Sequence, residues 1–312
     1  MSIKKICFIT ISVFLILIGI VSCFKKKEVS PSQKLKVVST IGMISDIVNE
    51  IGGDKIEGIA LMGPGVDPHL YRPSEGDVRK LNEAHLIFYN GLHLESKMLT
   101  LFDHVKKNKP VVAVTQTIPE SRLLTPPEFE GFHDPHVWFD LGLWEFAVDV
   151  ITTALIELLP AEENFFLTQK DRYLTDLRAL KQVSLAAVQT IPVEQRVLVT
   201  AHDAFNYFGQ FYDFEVKALQ GISTQSEAGI EDVQALVQFI VDRQIPAIFV
   251  ESSIPKRHLQ AVQESVKSKG WNVEIGGELY SDALGAPDSA AGTYLGMIQH
   301  NVNEIVTALS KK

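Results

Sequence analysis

One tripeptide occurs twice in the chain, as Asp67-Pro68-His69 and Asp134-Pro135-His136. Proline lacks an N–H and disfavours helical backbone for the residue before it, so each His is expected on an irregular loop rather than a helix face. Each loop also sets a carboxylate beside an imidazole. A metal-ligating His usually donates its second ring N–H to a carboxylate or carbonyl that fixes the tautomer, and the adjacent Asp is one candidate for that role. One such tripeptide is a weak signal, whereas two in the same half of the chain point to a metal. The second half offers a matching pair. Arg196 to Thr200 reads as a buried parallel strand with His202 just past its carboxyl end, where open α/β sheets place their ligands. Asn272 to Ile275 reads as another strand, followed by a glycine-opened loop, Gly276-Gly277-Glu278-Leu279-Tyr280-Ser281-Asp282, that ends in a carboxylate. Three neutral imidazoles and one carboxylate suit Zn(II) or Mn(II), not Ca(II) or Mg(II), which prefer all-oxygen shells. Donors of this kind bind Zn(II) more tightly than Mn(II).

The frame that must position these loops is legible as alternating patterns. Strands are predicted at Lys36–Ser39, Ile56–Met62, His85–Tyr89 and Val111–Val114, with helices at Met43–Ile51 and Asp77–Glu83 between them. Between Pro160 and Pro192 there is neither Pro nor Gly, and Phe166, Tyr173, Leu177, Leu180 and Val188 fall along one face. One long helix is expected there, about 28 residues and roughly 42 Å, enough to join two lobes. The alternation then restarts: strands at Arg196–Thr200, Glu215–Leu219, Ala247–Val250 and Asn272–Ile275, and helices at Glu231–Asp242, Leu259–Lys267 and from Tyr294 to about Leu309. The expected fold is therefore α/β, with two lobes, each a mostly parallel sheet flanked by helices, joined by one long helix. The expected boundaries are 35–159 for the first lobe, 160–191 for the linking helix and 192–312 for the second lobe.

Composition agrees with folded lobes, at 46% hydrophobic and 21% charged residues in 312. Lys4 and Lys5 precede an apolar run from Ile6 to Val21, and Ser22-Cys23 follows. The run is roughly 16 residues, short of the about 20 a spanning helix needs, and Ile20-Val21-Ser22-Cys23 resembles a bacterial lipobox. The expectation is a signal peptide over 1–22, an acylated Cys23, and a flexible tether over 23–34. The body would be exported and held at a membrane by lipid, in the periplasm or at the cell surface. Cys7 and Cys23 are the two cysteines, so cleavage and acylation leave no thiol for a disulfide. Cleavage also takes the formal charge from −9 to −11, with 27 basic residues against 38 acidic, which argues against a nucleic-acid partner.

Five segments carry a family resemblance: Gly63-Pro64-Gly65-Val66-Asp67-Pro68-His69, Tyr89-Asn90-Gly91-Leu92-His93-Leu94-Glu95, Asp134-Pro135-His136-Val137-Trp138-Phe139-Asp140, Thr200-Ala201-His202-Asp203-Ala204-Phe205 and Gly276 to Asp282. From about Leu35 to its end the chain resembles the TroA-like zinc and manganese receptors of ABC importers. The resemblance implies metal ligands at His69, His136, His202 and Asp282, modest movement of the lobes on binding, and delivery of the ion to a membrane permease with a cytoplasmic ATPase. A monomer is expected. Two departures bear on the metal. Receptors dedicated to manganese generally carry Glu where this chain has His202, and many zinc receptors carry a long His- and acid-rich loop where this chain has only Glu128 to Asp134 with His133.

Two alternatives are an extracytoplasmic zinc hydrolase and a surface adhesin that also binds metal. A hydrolase keeps three protein ligands plus water and a nearby base; no His-Glu-x-x-His or similar motif is present. His85, His93, His104, His133, His258 and His300 read as surface or packing residues, Trp138, Phe139 and Trp144 as packing, and Glu251 as a structural ion-pair partner in preference to a carboxylate behind the site. Mass spectrometry of the native N-terminal peptide is expected to show acylated Cys23; an unmodified chain starting at Met1 would overturn the anchor.

Overall fold

The computed structural model describes residues 34–129 and 131–310. The expected signal peptide, Cys23 and nearly all of the tether lie outside them. The first lobe opens with β1 (Leu35–Ser39), α1 (Gly42–Gly52), β2 (Ile56–Ala60), α2 (Glu75–Glu83), β3 (Leu86–Tyr89), α3 (Leu99–Val105) and β4 (Val111–Ala113). All strand pairs are parallel, and the spatial order is β2-β1-β3-β4. The order reverses between β1 and β3, the switch point at which open α/β sheets leave a crevice beyond the strand ends. One buried carboxylate holds that crevice together. Glu95 accepts the hydroxyl of Thr40 (2.6 Å) and the backbone N–H groups of Asn90 (2.7 Å) and Gly91 (3.2 Å), stapling the chain past β1 to the chain past β3. Leu92 and His93 adopt left-handed backbone, at φ 52° and 65°, within the tight loop that returns Glu95 to this position.

After a long irregular stretch come α4 (Leu141–Leu158) and α5 (Glu163–Val188). Asp140 caps α4 by accepting the N–H groups of Gly142 (2.7 Å) and Leu143 (3.1 Å). The expected long helix is α5, 26 residues or about 39 Å, preceded by a turn of 3₁₀ helix at Pro160–Glu162. It packs on α1 and α4, and on the last helix of the chain.

The second lobe contains β5 (Val197–His202), α6 (Asn206–Tyr212), β6 (Glu215–Gln220), α7 (Ile230–Asp242), β7 (Ala247–Glu251), α8 (Arg257–Ser268), β8 (Glu274–Leu279) and α9 (Tyr294–Leu309). The parallel pairs β5–β6 and β7–β8 stand with β5 beside β7, which repeats the order of the first sheet. Every residue of β5 is buried, because its faces serve two cores: Leu198 packs with the large cluster that runs from β1 to α9, while Val197, Val199 and Ala201 pack with Ile240, Ile248 and Leu259.

The structure corrects one element. Gly276 and Gly277 do not open a loop; they lie inside β8, where the register shifts and the two of them stand opposite Phe249 of β7. A Cβ on Gly276 would fall 2.7 Å from the Phe249 ring and 2.9 Å from Ala308, and Gly277 sits at φ 149° with a Cβ position 2.2 Å from the Glu304 carboxylate. The glycines let α9 lie close against the sheet. Replacing Glu95 with Ala should destabilise the metal-free protein by about 3 kcal/mol or more, since it strands three buried donors, with Glu95→Gln costing less. Urea unfolding is the measurement, and equal midpoints for wild type and Glu95→Ala would remove the staple from this account.

Candidate metal centre

The four residues singled out by sequence come together. His69, His136, His202 and Asp282 each present one ligand atom, and these atoms all lie within 4.8 Å of one another, with all four residues buried. The nearest separations are 3.1 Å from His202 Nε2 to Asp282 Oδ2, 3.2 Å between the Nε2 atoms of His69 and His136, 3.4 Å from His136 Nε2 to Asp282 Oδ1, and 3.8 Å from His69 Nε2 to Asp282 Oδ2. A tetrahedron with metal–ligand bonds of about 2.0–2.1 Å has edges of about 3.3 Å. Four donors at these separations could hold one metal ion. His202 Nε2 and both oxygens of Asp282 are buried without a hydrogen-bond partner, although 3.1 Å separates the two groups: they touch without hydrogen-bond alignment.

Two of the three imidazoles are held from behind by a carboxylate, and the third by its backbone turn. Past β2, Asp67 Oδ1 accepts the backbone N–H of His69 at 2.8 Å and fixes the turn that carries the ring. The second tripeptide goes further: Asp134 Oδ1 accepts both the His136 backbone N–H (2.9 Å) and its Nδ1 (2.7 Å). That contact puts the ring proton on Nδ1 and leaves the Nε2 lone pair for the site. The adjacent Asp thus orients the ring in one tripeptide and only the backbone in the other. The rest of the second loop is held by Asn90 Nδ2 on the Pro135 carbonyl (3.0 Å) and by the Tyr207 hydroxyl on the Asp134 carbonyl (3.1 Å).

His202 is the last residue of β5 rather than the second residue beyond it. Its partner is Glu251, at the end of the adjacent β7. Glu251 Oε1 accepts the N–H groups of Ala201 and His202 (2.8 Å each), and Oε2 accepts His202 Nδ1 at 2.5 Å. The ion-pair role expected of Glu251 is thus replaced by one behind a candidate ligand. The signal was its place at a strand end, and its distance of 49 positions from His202 hid the partner. Asp282 follows β8 in a buried segment whose Ser281 carbonyl accepts the indole N–H of Trp138 (3.0 Å).

The remaining histidines do not join the cluster. His85 Nδ1 accepts the Lys36 N–H (3.1 Å), His300 contacts the Glu278 carbonyl (2.9 Å), His133 contacts Thr125 (3.0 Å), and His93 and His104 are exposed.

Electrostatics follow from burial. Loss of water pushes the His69 imidazole down to about 3; Asp282 pulls it upward, and His136 and His202 push it further down. Burial raises the Asp282 carboxyl, yet the facing His202, His136 and His69 outweigh it and hold it well below the usual carboxylate range. Burial likewise lowers His202, but Glu251 and Asp282 together overcome it and raise its pKa. Positive charge at this point is favoured on the His202 side, between two carboxylates.

Comparison with known proteins gives the frame. Residues 37–308 match the family described as zinc-uptake complex component A, periplasmic (ZnuA). The chain belongs to the ZnuA family. It is 47% identical over 295 residues to the zinc-binding protein TroA of Treponema pallidum, covering 95% of each chain. It is 46% identical over 280 residues to the manganese-binding lipoprotein MntA of Bacillus subtilis, covering 90% of this chain and 91% of that one. The manganese ABC transporter substrate-binding lipoprotein PsaA of Streptococcus anginosus is 32% identical over 305 residues, 96% of this chain and 97% of its own. The solved structure of periplasmic TroA from T. pallidum superposes with a TM-score of 0.88, covering 89% of this chain and all of that one. The ZnuA family is one of uptake components, not of enzymes, and lends nothing to the hydrolase or adhesin alternatives.

The depressed His69 pKa carries a stability consequence. Unfolded, the imidazole takes up its proton near 6.5; folded, it stays neutral down to about 3. The unfolded state therefore binds more protons in this window, and stability is lost as pH falls through it, by up to about 1.4 kcal/mol per unit from this group. Urea unfolding of metal-free wild type between pH 7 and 4 should show a steeper loss than His69→Gln; parallel curves would contradict a buried neutral His69.

Proposed function

We propose that the chain is the extracytoplasmic substrate-binding component of an ABC importer and holds one divalent transition-metal ion, Zn(II) or Mn(II), between its lobes. The observation that carries this reading is the set of four buried donor atoms that all lie within 4.8 Å of one another. His69, His136 and His202 would each give Nε2, and Asp282 a carboxylate oxygen. The ion is cargo. With four protein donors the shell is closed, whereas a catalytic zinc keeps a position for water, so no turnover is expected of this site.

The lobes are assigned as 35–159 and 192–312 with a linking helix over 160–191. His69 and His136 then belong to the first and His202 and Asp282 to the second, and neither lobe alone completes the shell. Loading ties the lobes together and gives the importer's membrane permease a single form to recognise, with the cytoplasmic ATPase driving uptake. The family's character as uptake components supports an extracytoplasmic place. Lipid on Cys23 would keep a monomeric receptor beside its permease.

Both metals suit the donors. Nitrogen-rich shells favour Zn(II) by intrinsic affinity, and His202 completes a third imidazole. The relatives' names divide between zinc and manganese.

Isothermal titration with Zn(II) and Mn(II) tests this directly. Wild type should bind one ion per chain, and His69→Ala, His136→Ala, His202→Ala and Asp282→Ala should each weaken binding by roughly tenfold or more. His93→Ala and His258→Ala should match wild type. Unchanged affinity in His202→Ala or Asp282→Ala would refute the interlobe site, and metal-dependent hydrolysis of ester, amide or phosphate substrates lost in the same variants would replace the receptor by an enzyme.

A further inference from the structure

The four candidate ligands are not held equally. Residues 134–139 are buried without interruption, and hydrogen bonds from the second lobe stitch them in place. Asn206 Nδ2 donates to Asp134 Oδ2 (3.1 Å), the Tyr207 hydroxyl to the Asp134 carbonyl (3.1 Å), and the Tyr294 hydroxyl to the Trp138 carbonyl (2.7 Å); the Trp138 indole donates in return to the Ser281 carbonyl (3.0 Å). The segments carrying His202 and Asp282 are interior as well. His136, His202 and Asp282 thus sit on one interlocked block.

His69 sits on a surface loop. Gly63, Pro64 and Gly65 are exposed, and Leu70, next to the ligand, is 45% exposed. The loop is anchored on its own lobe where the Tyr71 hydroxyl meets Asp77 (2.8 Å) in the cap of α2. Among the described residues, one hydrogen bond reaches it from the second lobe: Thr224 Oγ1 to Asp67 Oδ2, at 2.6 Å. Thr224 belongs to the irregular stretch between β6 and α7, yet it is only 7% exposed, with exposed Gln225 beside it. Asp67 is the bridge. Its Oδ1 fixes the His69 turn while its Oδ2 takes the Thr224 hydroxyl.

We propose that Thr224 is a positioning residue for His69, acting through Asp67, and that this hydrogen bond latches the side of the site by which the ion leaves. The inference rests on the interlobe site above. When the latch opens, the Asp67 carboxylate is free to turn to water, the turn carrying His69 relaxes, and the ion is left on three donors with an open face. A latch of this kind acts on release more than on capture, because changes within one site fall mostly on the dissociation rate.

The test is release of Zn(II) from the loaded full chain into excess chelator, followed by stopped flow. Thr224→Val keeps the β-branched shape and removes the donor. It should speed release about fivefold, the weight of one hydrogen bond, while stoichiometry stays at one ion per chain and the association rate stays within about twofold. Thr224→Ser, which keeps the hydroxyl, should restore the wild-type rate. Gln225→Ala, which removes the neighbouring bond to Ser96 and leaves Asp67 untouched, should also release at the wild-type rate. In an Asp67→Ala background, Thr224→Val should add nothing, as coupling through Asp67 requires. Wild-type release from Thr224→Val, or equal acceleration with and without Asp67, would overturn the latch. If instead His202→Ala binds Zn(II) as wild type does, the interlobe site itself falls, and the two failures are distinct.

Discussion

Lone pairs that converge on one point in a site shut off from water repel one another and forgo hydration, and a divalent cation at that point is what offsets both costs. A buried carboxylate without a partner is among the most expensive groups a protein can hold. Here Asp282 faces His69, His136 and His202, yet neither of its oxygens nor Nε2 of His202 has a hydrogen-bond partner. Much of the surrounding structure keeps these donors pointed inward. Asp134 and Glu251 grip the Nδ1 atoms of His136 and His202, which fixes their tautomers and prevents the rings from turning away. Glu95, farther out, closes the strand ends on which Asn90 and then Pro135 rest.

The fold serves this arrangement by repetition. A four-stranded parallel sheet and two parallel pairs standing in the same order bring their strand ends toward the candidate site, so loops from each half can supply donors without crossing the molecule. The lobes differ in how they grip. Trp138, Tyr207 and Tyr294 form a buried, hydrogen-bonded seam beside His136, whereas among the described residues one hydrogen bond, from the Thr224 hydroxyl, reaches the His69 loop from the second lobe. A receptor has to bind and also release. Concentrating rigidity on three donors and leaving the fourth on a surface loop satisfies both demands, since one coordination bond can be exchanged while the remainder stay ordered.

The clustering of His69, His136, His202 and Asp282 was legible because the tripeptide occurs twice and the other two residues follow predicted strands. Element order was legible from periodicity, and the long helix from its lack of Pro and Gly. What escaped depends on distant partners. Helix Leu141–Leu158 buries residues around most of its circumference, so its apolar positions carry no clear stripe. Gly276 and Gly277 read as a loop because sequence does not reveal that another helix presses on the strand. The same holds for Glu251 and Thr224, whose partners lie 49 and 157 positions away. The two Asp-Pro-His motifs look equivalent in sequence, yet only Asp134 reaches the imidazole.

Zinc K-edge X-ray absorption of the Zn(II)-loaded protein reads the composition of the proposed shell. One zinc per chain is expected, bound by three imidazole nitrogens and one carboxylate oxygen at about 2.0–2.1 Å, with one imidazole lost from the shell in His202→Ala. A spectrum with fewer than three imidazoles in wild type, or one unchanged by His202→Ala, would contradict it.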